Sequence, residues 1–189
     1  MKTFSQYINE HKFDKFITNK YPEDPVKSAV YDYVAGFTTS VNAELRKGKK
    51  WDNVTKHLDK AFKDKEKLDV YRTVDWDYMN NIHGITQDNV EDKVGTVIVN
   101  KGYMSTTNEY HSPWASRWTD GELILHITSD QPYPYIDVNK MFTADEIDCE
   151  DQKEFLLPRG TKLEIISAEL KKGKLYDKKG TYQIELKIK

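Results

Sequence analysis

Two hydrophobic patterns follow each other along the chain, and their order most narrows the range of folds that the chain can adopt. Apolar side chains recur at helical spacing as far as about Lys67, whereas short apolar runs bounded by turn residues occupy the remainder. Helices followed by strands, without a regular alternation of the two, are typical of α+β proteins with a mostly antiparallel sheet. We therefore expect an α+β fold and a single domain over residues 1–189, mostly helical in 1–67 and mostly β in 68–189.

Three helices are predicted in the first part. The first covers about 4–17 and ends before two prolines. Asp24 precedes a proline and is suited to cap the second helix, whose apolar positions run through 29–45 and which Gly48 would stop. The third helix covers about 51–62.

Strands are predicted throughout the second part, where apolar runs of four to eight residues alternate with turn signals. The predicted strands are 68–72, 95–99, 102–107, 122–127, 154–157, 162–168 and 181–188.

Charge and cysteine content exclude several classes of function. The 29 Lys and Arg against 31 Asp and Glu give a formal net charge of −2, which argues against a wholly basic nucleic-acid binder but leaves a local basic groove open. Cys149 is the only cysteine, so an internal disulfide and a Cys₄ or Cys₂His₂ zinc site are excluded. The five histidines show no metal-ligand spacing, and we expect no metal.

The chain carries no sequence signal for a membrane. No apolar run approaches the roughly 18 residues that cross a bilayer. The first residues, MKTFSQYINEHKF, lack the apolar stretch of a secretory signal. We expect a protein that does not enter a membrane and that works in a reducing compartment such as the cytoplasm.

Three short segments stand out when they are taken together. They are DVYR at 69–72, KGYMSTT at 101–107 and QKEFLLPRGT at 152–161. In this order they resemble the Arg–Ser–Glu signature of the mono-ADP-ribosyltransferase family, in the branch of the clostridial exoenzymes and iota-toxin-like toxins. The second predicted helix, followed by Arg46-Lys47-Gly48, is similar to a helix of that branch, with Tyr31 or Tyr33, Asn42 and Leu45-Arg46 as counterparts.

The resemblance implies a fold and an activity. The fold would have N-terminal helices packed on a split, mainly antiparallel β-sandwich core with a cleft for NAD. The activity would be transfer of ADP-ribose from NAD, without a metal, to a macromolecular acceptor. Family analogy assigns Glu154 to the stabilisation of the positive charge that develops on the ribose, Ser105 to the orientation of that carboxylate, and Arg72 to the pyrophosphate.

Physical chemistry agrees with these assignments. A fixed carboxylate stabilises an oxocarbenium-like transition state, and preorganised electrostatics of this kind is usually the largest catalytic effect. A planar guanidinium offers paired donors to phosphate oxygens. Aromatic faces suit the flat, cationic nicotinamide. The candidate cofactor-binding residues are Arg72, Tyr71, Tyr103, Thr106, Trp114 and Arg117, with Trp118 as a further available ring.

Gln152 bears on the acceptor. It lies two residues before Glu154, so both side chains would face one cleft in an extended segment. In the family, Glu at this position accompanies arginine acceptors, whereas Gln accompanies amide acceptors or nucleobases. The resemblance therefore predicts an acceptor other than arginine. Glu150 precedes Gln152 in the turn, so the alternative that Glu150 contributes a second carboxylate to the site stays open. Thr73 replaces the glycine that usually follows the family's arginine.

Two alternatives to transfer stay open at this point. Water could be the acceptor, which would make the protein an NAD glycohydrolase, or the fold could serve as a non-catalytic interaction module. The resemblance to toxins also leaves open whether the protein acts in the cytoplasm of its own cell, with an antitoxin as partner, or is secreted and delivered into a target cell by another component.

Overall fold

The structure is a computed structural model that describes residues 20–49, 52–110, 123–147, 153–171 and 181–189. The predicted helix at 4–17 lies outside these residues. The chain divides into two compact units, one ending at Phe62 and the other beginning at Lys63. The expectation of one domain stays a prediction.

The second predicted helix is confirmed, with an interruption. Helix α1 (Pro25–Asp32) begins after Asp24, whose carboxylate accepts hydrogen bonds from two backbone N–H groups of the first turn. A π-helical segment (Tyr33–Phe37) joins it to α2 (Thr38–Arg46). The chain then leaves the helix at Gly48, where a φ of 76° favours glycine.

A buried hydrogen bond joins two of the residues singled out in this helix. The Asn42 side chain donates to the Tyr33 hydroxyl over 2.9 Å, and Tyr33 is fully buried. Of the two candidate tyrosines, Tyr33 therefore has an observed hydrogen bond with Asn42.

The third predicted helix is shorter than expected. Helix α3 (Asp52–Leu58) is followed by a turn in which Ala61 N–H donates to the Leu58 carbonyl over 3.0 Å. Helices α1 and α3 pack together through buried side chains that include Val30, Val54 and Leu58.

The described residues of the second unit form a nine-stranded sheet. Its strands are β1 (Asp64–Glu66), β2 (Asp69–Val74), β3 (Val97–Asn100), β4 (Met104–Thr107), β5 (Leu123–Thr128), β6 (Tyr133–Asp137), β7 (Glu154–Leu157), β8 (Thr161–Lys171) and β9 (Thr181–Ile188). Their spatial order is β1-β6-β7-β4-β2-β5-β9-β8-β3, and every neighbouring pair is antiparallel except β5 and β9. The predicted α+β fold with a mainly antiparallel sheet is confirmed.

The sheet is split between β2 and β4. These two strands share one residue pair, Tyr71 with Thr107, whereas β2 shares six pairs with β5 and β4 shares four with β7. The two halves of the sheet are therefore joined at this junction by one residue pair. Two of the three singled-out segments supply the strands that meet there, and the third supplies β7, the next strand beyond β4.

The core of this unit lies against the central strands. Strand β5 is flanked by β2 and β9, and its residues alternate between buried and half-buried. Buried apolar side chains from several strands meet there: Val70, Val74, Leu123, Leu125, Ile127, Leu163, Ile165, Ile184 and Leu186. Burial on this scale makes the central strands the most rigid support available to a site built on β2.

Several elements were not predicted from the sequence. They are strands β1 and β6, helices α4 (Trp76–His83), α5 (Val138–Met141) and α6 (Ala144–Ile147), and a 3₁₀ turn at Glu91–Lys93. Strand β1 falls in the part expected to be mostly helical. It is a fully exposed edge strand of three charged residues, so it has no hydrophobic pattern to reveal it.

Candidate active site

The three singled-out segments bring Arg72, Ser105 and Glu154 together at the split in the sheet. Nη1 of Arg72 donates a hydrogen bond to the Ser105 backbone carbonyl over 2.8 Å. This bond ties β2 to β4 immediately beside their single residue pair. It also fixes the guanidinium at the junction between the two halves of the sheet.

The Arg72 guanidinium has a second neighbour on helix α4. Its Cζ lies 5.4 Å from the centroid of the Tyr78 ring, within the range of a cation–π interaction. Asp75 caps this helix by accepting a hydrogen bond from the Tyr78 N–H over 2.5 Å. Nε of Arg72 is buried and has no hydrogen-bond partner among the described residues. Tyr78 and the Ser105 carbonyl thus hold a guanidinium that still has an unsatisfied donor.

Ser105 and Glu154 lie on one face of the β4–β7 pair. In the antiparallel register, Ser105 lies opposite Leu156 and Thr107 lies opposite Glu154, so Ser105 and Glu154 are diagonal neighbours. The Ser105 hydroxyl is hydrogen-bonded to the Glu154 carboxyl group. Ser105 itself is 8% exposed, which shields this hydrogen bond from water.

The environment of Glu154 acts on its pKa in two directions. Burial is the largest influence and raises the pKa, because it disfavours the charged form. The hydrogen bond from Ser105 and the positive charge of Arg72 oppose this rise, and the pKa stays above that of an ordinary glutamate. Ser105, which was predicted to orient Glu154, therefore interacts with it, and so does Arg72, which was predicted to hold the pyrophosphate.

The Glu154 backbone is held from another element. Its N–H donates to Oδ1 of Asn139, on helix α5, over 3.1 Å. Asp137 begins that helix by accepting a hydrogen bond from the Lys140 N–H over 3.2 Å. Asn139 thus fixes the first residue of β7, from which the carboxylate projects.

Tyr71 lies on the other face of β2. Neighbouring residues of a strand point to opposite faces, so the Tyr71 side chain points away from that of Arg72. Its ring stacks on His126 with 4.6 Å between centroids and meets Tyr110 edge-on at 5.1 Å. Burial raises the pKa of Tyr71, and the Asp69 carboxylate raises it further.

Tyr103 and Thr106 are buried. Tyr103 is 1% exposed and Thr106 is 3% exposed. The Thr106 hydroxyl donates to the Phe155 carbonyl over 2.7 Å and so joins β4 to β7. The structure therefore gathers Arg72, Ser105 and Glu154, while the dinucleotide-binding roles expected of Tyr71, Tyr103 and Thr106 stay predictions.

Gln152, Trp114 and Arg117 lie outside the described residues, as do Trp118 and Glu150. The roles expected of these residues stay predictions. Within the described part of the chain, no group of three or more His, Cys, Asp or Glu could hold a metal ion. None of the helices in that part is long and apolar enough to cross a membrane.

Sequence reasoning did not identify Tyr78 and Asn139. Tyr78 belongs to a helix of eight residues that Asp75 caps at its start and Gly84 ends. Asn139 lies in a helix of four residues, which is too short to show a hydrophobic period. The folded structure brings both side chains to the site, and no local sequence pattern indicates that placement.

Comparison with known proteins gives the same family that the three segments suggest. A model of the ADP-ribosyltransferase exoenzyme family matches residues 8–188, which is nearly the whole chain. No curated protein matches the chain.

Solved structures share the fold. C3stau2 from S. aureus, solved with NAD, superposes with a TM-score of 0.68 at 21% identity over 100% of this chain and 98% of that one. Plx2a, an ADP-ribosyltransferase toxin from Paenibacillus larvae, gives 0.68 at 19% identity over 96% of each chain. The C3 exoenzyme of Clostridium limosum gives 0.66 at 18% identity, covering 87% of this chain and 85% of that one.

These likenesses establish the shared α+β fold, and the family match extends over both compact units. NAD is the substrate of such enzymes. The chain belongs to the ADP-ribosyltransferase exoenzyme family and is an NAD-dependent mono-ADP-ribosyltransferase of the toxin class.

Proposed function

We propose that this enzyme transfers ADP-ribose from NAD to a macromolecular acceptor other than arginine, either a protein side chain or a nucleobase, and that Arg72, Ser105 and Glu154 carry the reaction. The observation that supports this most directly is the contact among these three residues at the split in the sheet. Each belongs to a different segment of the sequence, so their meeting is a property of the fold.

The reaction breaks the bond between C1′ of the ribose and the nicotinamide nitrogen. Nicotinamide leaves with the bonding electron pair, and positive charge develops on the ribose. The ionised Glu154 carboxylate stabilises that charge. A nucleophilic atom of the acceptor then forms a bond to C1′ and releases one proton, so the products are ADP-ribosylated acceptor, nicotinamide and a proton.

Ser105 and Arg72 keep Glu154 suited to this task. A half-buried carboxylate stabilises a nearby cation strongly because little water screens the interaction. The same burial favours the protonated, inactive form, as the raised pKa of Glu154 records. The Ser105 hydrogen bond and the Arg72 charge counteract that effect, because both favour the ionised carboxylate.

Arg72 is suited to hold the pyrophosphate. One of its donors is used by the Ser105 carbonyl, and the Tyr78 ring lies against the guanidinium. The buried Nε–H lacks a partner among the described residues, and a buried donor left unsatisfied costs free energy. A phosphate oxygen would satisfy it, which supports an anionic ligand at this position.

Gln152 supports an acceptor other than arginine. A second carboxylate at its position would pair with a guanidinium, whereas an amide both donates and accepts hydrogen bonds. Asparagine or glutamine side chains and the edges of nucleobases offer the same combination of donors and acceptors. Both acceptor classes are therefore kept in the proposal.

Labelled NAD tests the proposal. Cell lysate is incubated with ³²P-NAD and the purified enzyme, divided, and treated with protease or with nuclease. We expect label on macromolecules that one of the two treatments removes, and no label with Glu154→Gln. Free ADP-ribose without labelled macromolecules would instead indicate NAD hydrolysis, and calorimetry that detects no NAD binding would indicate an interaction module.

We infer that the acceptor lies inside a cell, either the cell that makes the enzyme or a target cell reached with a delivery component. The family description as exoenzymes supports delivery. Expression in the cytoplasm of a bacterium separates the two cases. Growth arrest by the wild-type chain but not by Glu154→Gln indicates an acceptor in the producing cell, where a protective antitoxin would be required.

A further inference from the structure

The residue before Glu154 has an unusual backbone conformation. Lys153 has a φ of 45°, and it is the one non-glycine residue with positive φ in the part of the chain that the structure describes. An L side chain in this region crowds its own backbone, so the conformation persists only where surrounding contacts impose it. The contacts of Lys153 therefore affect the backbone conformation at the start of β7.

Lys153 forms an ion pair with Glu109, which lies two residues beyond the end of β4. Its ammonium group donates to the carboxylate of Glu109. The Glu109 N–H in turn donates to the Thr107 hydroxyl over 3.1 Å. Thr107 lies opposite Glu154 in the β4–β7 register, so these contacts link Lys153 to the strand position directly opposite Glu154.

Glu154 is consequently held on both sides of its backbone. The Asn139 side chain, on helix α5, accepts a hydrogen bond from the Glu154 N–H. The ion pair between Glu109 and Lys153 restrains the residue that precedes Glu154. Rotation at Lys153 would turn the peptide plane that carries this N–H. Such a rotation would shift the carboxylate relative to Ser105 and Arg72.

We propose that the ion pair between Glu109 and Lys153 is a positioning device that holds Lys153 in its left-handed conformation and thereby aims the Glu154 carboxylate. This inference rests on the proposed role of Glu154. Glu109 and Lys153 would act through the backbone of Glu154, so we class both as positioning residues. Their removal affects the rate of NAD cleavage more than the binding of NAD.

Three variants test whether the ion pair itself has a positioning role. Glu109→Gln and Lys153→Met each remove the ion pair while nearly keeping the shape of the side chain. We expect each to lower kcat for NAD cleavage about tenfold, with KM for NAD within about twofold of wild type, because small misplacements of a catalytic group are costly. Exchanging the charges in Glu109→Lys/Lys153→Glu restores the pair, and we expect kcat to return to within about threefold of wild type.

Lys153→Gly tests the backbone conformation directly. Glycine adopts positive φ without strain, so this variant loses the ion pair but not the left-handed turn. We expect it to retain more activity than Lys153→Met. If the charge of Lys153 acted on the substrate instead, the two variants would lose the same activity.

Glu169→Gln is the matched control. Glu169 forms an exposed ion pair with Lys171 on β8, a strand that contributes no residue to the site. Exposed ion pairs contribute little to folding stability, so neither this variant nor Glu109→Gln is expected to change Tm appreciably. Wild-type kcat is expected for the control. Wild-type kcat in both Glu109→Gln and Lys153→Met, or a charge exchange no better than the single variants, would overturn the inference.

A titration independent of turnover completes the test. The Glu154 carboxyl of ¹³C-labelled protein is followed by NMR against pH in the wild type and in Glu109→Gln. Displacement from Ser105 and Arg72 removes the two influences that lower the pKa of Glu154, so we expect a higher pKa in the variant. An unchanged pKa overturns the positioning role, whereas a wild-type enzyme that cleaves no NAD overturns the proposed function.

Discussion

Nη1 of Arg72 donates a hydrogen bond to the backbone carbonyl of Ser105 over 2.8 Å, beside the single residue pair that joins β2 to β4. The bond uses the main chain of Ser105 and leaves its hydroxyl for Glu154. One residue of β4 therefore positions both the cation from β2 and the carboxylate from β7. This shared support explains how three distant segments form one site.

Removal of the Ser105 hydroxyl should shift the pH dependence of catalysis. The hydrogen bond from Ser105 lowers the pKa of Glu154, so Ser105→Ala raises that pKa further. A smaller fraction of Glu154 is then ionised at any pH near the pKa, and the acidic limb of the kcat profile moves to higher pH. Profiles of kcat against pH for the wild type and Ser105→Ala measure this. Superimposable acidic limbs would show that Ser105 does not control the ionisation of Glu154.

Glu154→Gln should stabilise the fold at neutral pH. The pKa of Glu154 is raised in the folded state, so the folded protein binds its proton more tightly than the unfolded chain does. The free energy of unfolding therefore falls as pH rises through the folded pKa, and the cost of the buried charge is fully present above it. Glutamine carries no charge and avoids this cost.

Thermal unfolding as a function of pH checks the sign of this effect. We expect a higher Tm for Glu154→Gln than for the wild type at pH 7, and a difference that disappears below pH about 4, where the unfolded carboxyl is also protonated. Catalytic groups held in unfavourable surroundings often reduce stability in this way. A lower Tm for the variant at pH 7 would contradict the environment described for Glu154.

Arg72→Lys should weaken NAD recognition although it conserves the charge. Lysine lacks the planar set of donors that can serve the Ser105 carbonyl and a phosphate together. A hydrogen bond to a charged group contributes about 1.5–3 kcal/mol, so we expect kcat/KM for NAD to fall by about 10- to 100-fold. Steady-state kinetics over a range of NAD concentrations measures the change. An unchanged kcat/KM would remove Arg72 from the proposed site.

Gly160→Ala should destabilise the protein without affecting catalysis. Gly160 lies in the turn between β7 and β8 with a φ of 81°, and its N–H donates to the Asn100 carbonyl over 2.7 Å. An added Cβ meets no atom within 4 Å, so the cost comes from the backbone conformation alone. We expect a loss of about 1–2 kcal/mol in denaturant unfolding. Equal stability of variant and wild type would mean that the turn relaxes.

The three central residues could be predicted because their segments carry strong local signals. Arg72 and Ser105 each belong to a strand that the sequence pattern places to within a few residues, and Glu154 begins a strand whose bounds were predicted without error. The order of the segments then sufficed for the resemblance. The sequence pattern did not indicate that β2 and β4 meet through a single residue pair.

The surroundings of the site could not be predicted, for physical reasons. Strand β6 contains Pro134 and lies beside the exposed edge strand β1, so neither strand shows a clear alternation of apolar residues. Helix α4 includes two adjacent asparagines, which are weak helix formers, and its Asp75 cap stabilises it locally. Tyr78 contacts Arg72, and Asn139 contacts Glu154. Both lie on elements whose sequences carry only weak signals of their structure.

Single-turnover cleavage of NAD by Glu154→Gln at saturating NAD tests the central claim most directly. The substitution keeps the shape of the side chain and removes the charge that is expected to stabilise the ribose cation. We predict NAD affinity close to that of the wild type and a cleavage rate lower by on the order of 10²- to 10³-fold. Cleavage at the wild-type rate by a folded Glu154→Gln enzyme would contradict the account.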